Sequence, residues 1–219
     1  MKSARDVAIA VKNMALQELQ KLNYVQSVTL IGKEPDRDRI IESVNDLDTI
    51  IIVEGDMTKE KYNKIEEIYM KTTELSTPDV DVSYSIKDGP FKPVSEKEKE
   101  VFSHVILHTE ESYCRSPLML VKNSWQYEMP YFGKPVAEIQ SVKGVDEDML
   151  INGALGLNHL IGLVKNDESA YLDWEDTDSG IMRSNIFPLK FIEANERLEF
   201  YFYSILRCAS NTLRWTNWE

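Results

Sequence analysis

The chain has 219 residues, of which 42% are hydrophobic and 28% charged, a composition typical of globular proteins in which long disordered segments are not expected. Its formal net charge of −12 disfavours extended contact with a nucleic-acid backbone, although a small basic pocket can still hold a nucleotide. The two cysteines, Cys114 and Cys208, lack metal-ligand or disulfide spacing, and no apolar run is long enough to span a membrane, so a cytoplasmic protein is expected.

The first half of the chain predicts alternating helices and strands. Apolar residues recur with helical spacing over residues 4–22 and 58–75. Apolar or alternating runs predict strands over residues 25–31, 46–53, 78–86 and 100–109, with charged, proline-containing loops before the second and fourth. The expected product is a small mixed sheet of four or more strands with flanking helices.

The second half predicts a mainly helical region. One helix is expected from Asp146 or Asp148 to about Val164, and a last helix from near Pro188. An acidic loop is expected between them, over residues 166–187. The predicted fold class is therefore α+β, with one domain over residues 1–110 and a mainly helical region over 111–219.

Two acids stand at the head of the second predicted strand. Asp46 and Asp48 precede the buried run Ile50–Val53. Residues two apart in a strand point to the same side, with Cα atoms roughly 6.5 Å apart. Charged oxygens beside a hydrophobic strand are costly without a compensating cation. Because Mg²⁺ binds one or two carboxylates together with substrate phosphates, this pair predicts a phosphate-handling enzyme.

A third acid lies on the next predicted strand, between Val80 and Val82. Asp81 shares its face with Asp79, so both are candidates for one role. Asp79 follows Pro78 and is expected in the turn before the strand, so Asp81 is preferred.

Taken together, these residues resemble the nucleotidyltransferase superfamily of the DNA polymerase beta type, over about residues 1–110. That signature is a strand ending in Gly-Ser or Gly-Gly, then Asp-x-Asp on the next strand, then a single carboxylate between hydrophobic residues. Here it reads Gly32-Lys33, Asp46-Leu47-Asp48 and Val80-Asp81-Val82. The resemblance implies a catalytic domain over residues 1–110 that moves a nucleoside monophosphate from an NTP, such as ATP, to a hydroxyl or amine acceptor and releases pyrophosphate.

The resemblance also implies a role for each residue. Asp46 and Asp48 would bridge two Mg²⁺ or Mn²⁺ ions, and Asp81 would ligate the ion that activates the acceptor. Gly32 would let the main chain approach the nucleotide phosphates. Lys33 departs from the family, which has a small polar residue there. It either places a point charge on the same phosphate or marks a changed nucleotide site.

The acceptor is expected to be a small molecule or a protein, with an RNA end as a further candidate. Two other hypotheses stay open. In the first of these, the chain is a binding or regulatory module on the same fold, such as a toxin–antitoxin or phage-defence component, with weak or no catalysis. In the second, the acids are coincidental and the chain is a structural α/β protein.

Two further groups attract attention but predict little chemistry. His104 and His108 lie roughly 13 Å apart on one face of the predicted fourth strand, too far for a shared zinc ion, so a structural or substrate-lining role is expected. Asp173, Asp176 and Asp178 resemble a calcium loop but lack its terminal glutamate. A solvated acidic loop is the preferred interpretation.

Overall fold

The computed structural model describes residues 3–31, 45–87, 99–115, 130–139, 161–162, 164–176, 180–188 and 202. Its helices are α1 (Ala4–Leu19), α2 (Lys59–Thr72), a 3₁₀ turn (Thr73–Leu75), α3 (Glu110–Arg115) and α4 (Val136–Ile139). Its strands are β1 (Val25–Ile31), β2 (Asn45–Val53), β3 (Val80–Ser85), β4 (Lys99–Thr109), β5 (Phe132–Gly133), β6 (Glu168–Asp176) and β7 (Ile181–Pro188). The predicted helices and strands of the first half are present, with ends shifted by a few residues.

The main sheet is mixed and has five strands in the order β3-β4-β2-β1-β5. β1 pairs antiparallel with β2 and with β5, whereas β4 pairs parallel with β2 on one side and with β3 on the other. The α+β class and a mixed sheet of at least four strands are therefore confirmed. β4 follows β3 in the sequence but lies between β3 and β2, which the sequence pattern did not indicate.

Both long helices begin at side-chain caps. At α1, Ser3 and Asp6 form a capping box in which each side chain accepts the other residue's main-chain N–H. At α2, the Thr58 hydroxyl accepts the main-chain N–H of Lys61 at 3.3 Å. Beyond these caps the two helices bury apolar side chains on one face, among them Val7, Val11, Leu16 and Leu19 of α1 and Ile65, Ile68 and Tyr69 of α2.

The two faces of the sheet bury different apolar clusters. The helix-covered face carries a core that includes Val28, Ile51, Val53, Val105 and Leu107, packed against residues of α1 and α2. The opposite face carries Ile31, Ile50, Ile52 and Ile106, packed with Tyr113, Val136 and Ile139. Because side chains alternate along a strand, Asp48 lies on this second face, together with Ile50.

Residues 168–188 correct one prediction, because they form a β-hairpin where an acidic loop was expected. β6 and β7 pair antiparallel, with an irregular register between Trp174 and Asp176. Trp174 is buried in the helix-side core, and its indole Nε1 donates a hydrogen bond to the carbonyl of Leu107 at 3.0 Å. The hairpin therefore covers β4 beyond the point where β3 ends.

β5 also joins the second half of the chain to the first. Gly133 pairs with Ser27 of β1 and has a φ of +84°. A Cβ atom at Gly133 would lie 2.0 Å from the carbonyl oxygen of Gln26, so only glycine fits this approach. The sheet is completed by residues that follow the domain boundary predicted near residue 110.

The helices predicted in the second half lie almost entirely outside the described residues. Residues 161–162 and 164–165 are helical, at the end of the helix predicted to reach Val164, and Phe202 is helical within the predicted last helix. The rest of both segments is not described. Among the described helices, none combines the length and the apolar character that crossing a lipid bilayer requires.

Candidate functional site

The head of β2 lies beside the end of β1. Ile31, the last residue of β1, is the Cα partner of Asp48. Gly32 and Lys33 follow Ile31 directly in the sequence but lie outside the described residues. The antiparallel pairing therefore places the chain segment that leads into Gly32 next to the Asp-x-Asp segment.

The carboxylate of Asp48 is hydrogen-bonded to a histidine of the adjacent strand. It is the Cα partner of His104 on β4, and the two side chains lie on the same face of the sheet. His104 Nδ1 is 2.9 Å from Asp48 Oδ1. The His104 side chain is 16% exposed and that of Asp48 is 32% exposed. Asp48 is thus partly covered but still reachable from solvent.

The second nitrogen of His104 is also bonded. His104 Nε2 lies 2.7 Å from the main-chain oxygen of Lys87, just beyond β3. A carbonyl oxygen only accepts hydrogen bonds, and so does an ionised carboxylate. His104 Nε2 therefore donates to the Lys87 oxygen, while Nδ1 shares a hydrogen bond with the Asp48 carboxyl group. The ring of His104 thus joins Asp48 to the residue that follows β3.

Lys87 connects this pair to the hairpin. Its ammonium lies 3.7 Å from Asp173 Oδ2 of β6, and both side chains are largely covered. Asp48, His104, Lys87 and Asp173 therefore form one continuous polar chain from β2 to β6. Asp173 acts here as an ion-pair partner, whereas the sequence suggested only a solvated loop.

Asp81 lies on the same face of the sheet but at a distance from Asp48. Its Cα partner is Glu100, whereas that of Asp48 is His104, four residues further along β4. Two strand spacings and four residues separate Asp81 and Asp48 by roughly 16 Å between Cα atoms. The described strands do not bring these two carboxylates together. Asp79 is exposed and lies in the bend before β3, as expected.

Asp46 is nearer to Asp81 than Asp48 is. It is the Cα partner of Phe102, which puts its Cα roughly 12 Å from that of Asp81. The structure does not describe the side chain of Asp46.

Glu100 is an acid that sequence reasoning did not single out. It lies on β4 between the strand of Asp81 and the strand of Asp46 and Asp48. It is 3% exposed, and its Oε1 accepts a hydrogen bond from the Ser83 hydroxyl at 2.7 Å. By register its Cα lies roughly 8 Å from that of Asp46. The signal for it in the sequence was a charged residue opening an otherwise apolar strand.

His108 lies in the core of the protein. It is fully buried, and its Nδ1 lies 3.0 Å from the hydroxyl oxygen of Ser112. Its ring meets that of Tyr113 edge-on, with centroids 5.5 Å apart. The two histidines of β4 therefore differ, because His104 contacts the candidate site and His108 packs in the core behind it.

Within the described residues, no group of three or more His, Cys, Asp and Glu side chains is arranged to hold a metal ion. Comparisons of the chain with family models, curated proteins and solved structures give no match. The resemblance to nucleotidyltransferases therefore rests on the residues of the chain.

Proposed function

We propose that this chain is a Mg²⁺- or Mn²⁺-dependent nucleotidyltransferase of the cytoplasm. It moves a nucleoside monophosphate from an NTP to a hydroxyl or amine acceptor and releases pyrophosphate. The observation that carries the proposal is the pairing of Ile31 with Asp48. That register supports a site in which Gly32 and the Asp-x-Asp segment face the same nucleotide.

The donor atoms at the head of β2 fit a hard divalent cation. Asp48 is a partly exposed carboxylate, and Asp46 stands two positions before it in the same strand. Mg²⁺ prefers oxygen ligands and commonly takes one or two carboxylates, leaving positions for phosphate oxygens and water. When bound, such ions stabilise the charge on the attacking and leaving oxygens at phosphorus. Lys33 is proposed to contact the nucleotide phosphates.

The third carboxylate is proposed to be Asp81, with Glu100 as the alternative that the sheet order favours. Asp81 matches the signature of the superfamily, whereas Glu100 lies closer to Asp46 by register. The helical segments predicted after residue 140 are proposed to shape the acceptor site, for which a small molecule or a protein is favoured over an RNA end.

The test is label transfer from each of the four NTPs, labelled at the α-phosphate, with Mg²⁺ or Mn²⁺ and with or without a cell extract. The proposal expects metal-dependent label on one class of acceptor, with pyrophosphate as the second product. In parallel, metal and then NTP should raise Tm, because ligands of the folded state stabilise it by mass action. Absence of transfer with every NTP, with no Tm shift from metal or NTP, would refute it.

The Asp48–His104 pair also favours a second candidate function, a binding or regulatory module with weak or no catalysis. His104 already makes a 2.9 Å hydrogen bond with Asp48, so this carboxylate has a partner within the chain. This candidate expects a Tm shift with NTP or with a partner protein and no label transfer.

A further inference from the structure

The ring of His104 is held from three directions. Its Nδ1 bonds to Asp48 and its Nε2 to the Lys87 carbonyl. Its plane stacks against the Phe102 ring, with centroids 6.2 Å apart and an interplanar angle of 10°. A ring bonded at both nitrogens and stacked on its face has little freedom to rotate, so Nδ1 stays directed at Asp48 on β2.

This fixed hydrogen bond constrains the carboxylate of Asp48. Asp48 Oδ1 is engaged by His104, and the structure records no further hydrogen bond to Asp48 from the described part of the chain. A carboxylate held through one oxygen presents its second oxygen in a defined direction. Groups that hydrogen-bond a metal-binding side chain in this way fix its orientation. Replacing them typically lowers metal affinity or activity by about 10–100-fold.

The anchor of the histidine is itself fixed. Lys87, whose carbonyl accepts from Nε2, is tied through its ammonium to Asp173 of the hairpin. The hairpin is in turn held to β4 by the hydrogen bond from Trp174 to Leu107. The orientation of Asp48 thus depends on contacts that reach the second half of the chain.

We infer that His104 is a positioning residue that orients Asp48 toward a divalent cation, with the Lys87 carbonyl as its anchor. This inference rests on the proposed function, because it concerns the same cation. It adds a residue that no part of the nucleotidyltransferase signature contains. It also gives the hairpin a role in holding the site.

The test compares two His104 variants with wild type in the full-length protein. His104→Phe keeps the ring and removes both hydrogen bonds, whereas His104→Asn keeps an amide donor near the position of Nδ1. We expect His104→Phe to raise the Mn²⁺ concentration for half-maximal binding by about 10–100-fold. His104→Asn should recover a large part of that loss. The readout is direct Mn²⁺ binding by electron paramagnetic resonance, with the Mg²⁺ dependence of label transfer as a second one.

His108→Asn is the matched control, since it alters a buried histidine of the same strand. It should lower Tm but leave the Mn²⁺ half-saturation unchanged. A merely structural role for His104 would lower Tm without moving the metal half-saturation, which would overturn the inference while leaving the proposed function intact. If wild type binds neither Mn²⁺ nor NTP, both proposals fail together.

A measurement on wild type covers the case in which His104→Phe does not fold. The ¹⁵N signals of the His104 ring should shift during a Mg²⁺ titration, and those of His108 should not. An unchanged His104 signal at Mg²⁺ concentrations that saturate the protein would overturn the inference.

Discussion

The indole of Trp174 donates its hydrogen bond to the carbonyl of Leu107, a residue 67 positions earlier in the chain. β3 pairs with β4 only as far as His104, so the carbonyl of Leu107 lies beyond the paired part. Trp174 thus gives the Leu107 carbonyl a hydrogen-bond donor beyond the end of β3. It also adds its ring to the core under α2.

Trp174→Phe should lower the free energy of unfolding by about 1–3 kcal/mol, because the carbonyl of the buried residue Leu107 loses its indole donor. Trp174→Ala should cost about 3–5 kcal/mol, since it also removes the ring. Urea denaturation followed by circular dichroism measures both. The control Met70→Ala, at a side chain that is 53% exposed, should change stability by less than about 0.5 kcal/mol. Equal stability of Trp174→Phe and wild type would mean that the hairpin does not depend on this bond.

The local elements of the first half were predictable because each has a clear hydrophobic period. β1 was predicted over 25–31 and spans Val25–Ile31, and β4 was predicted over 100–109 and spans Lys99–Thr109. The order of the strands was not predictable, because alternation identifies a strand but not its neighbours. The insertion of β4 between β3 and β2 depends on long-range packing.

The hairpin was not predicted because the charged residues of this segment were given more weight than its alternation of apolar and polar residues. Asp173 and Asp176 suggested a solvated loop, yet Leu172 and Trp174 are two apart and both buried. Gly180, with a φ of +68°, stands at the turn, a position that glycine adopts readily. A period of two with a glycine turn was the signal in the sequence.

For the site, the sequence identified Asp48 but not its partner. Asp48 and His104 are 56 positions apart, and their contact depends on the register of β2 against β4. A shift of one residue would place the two side chains on opposite faces. His104 was therefore expected only to have a structural or substrate-lining role.

The ammonium of Lys61 holds the loop between β2 and α2. It donates to the carbonyls of Glu54 and Asp56 at 2.6 and 2.7 Å, and it lies 5.6 Å from the centre of the Tyr24 ring. Lys61→Met should keep the aliphatic part and lose about 1 kcal/mol of stability with these bonds. Lys64→Met is the matched control, because Lys64 lies on the same helix and makes an exposed ion pair with Glu67. If chemical denaturation gave both variants the same stability, the loop contacts would contribute nothing measurable.

Alkaline pH should destabilise the protein through Tyr69. Burial raises the pKa of Tyr69, and a hydrogen bond with Thr49 offsets only part of that rise. A group whose pKa is raised in the folded state contributes stability that is fully present below its unfolded value of about 10 and is lost as pH rises above it. Tm should therefore fall between pH 9 and pH 11.

The Tm of Tyr69→Phe should fall less than that of wild type over that pH interval. Burial also raises the pKa values of Tyr62 and Tyr84, so one substitution removes only part of the effect. Tyr131→Phe, at a side chain that is 50% exposed, is the control and should follow wild type. Parallel Tm curves for wild type and Tyr69→Phe would show that ionisation of Tyr69 does not contribute to alkaline unfolding.

Substitutions of the different acids in the site should have different effects on NTP binding and on turnover. If Asp48 holds a cation shared with the nucleotide, Asp48→Asn should abolish label transfer and weaken metal-dependent NTP binding. It should also cost about 1 kcal/mol of stability, because it alters the group that is hydrogen-bonded to His104 at 2.9 Å.

A third carboxylate that serves the acceptor should behave differently. Its amide variant should reduce turnover on the order of 100-fold or more, as loss of an electrostatic catalytic group commonly does, while NTP binding stays near wild type. Asp81→Asn and Glu100→Gln are the two variants to compare, because one matches the signature and the other lies closer to Asp46 by register. Asp79→Asn, at an exposed residue before β3, is the control. Loss of turnover in Glu100→Gln alone would transfer the role from Asp81 to Glu100. Full activity of Asp48→Asn, Asp81→Asn and Glu100→Gln would place the chemistry elsewhere in the chain.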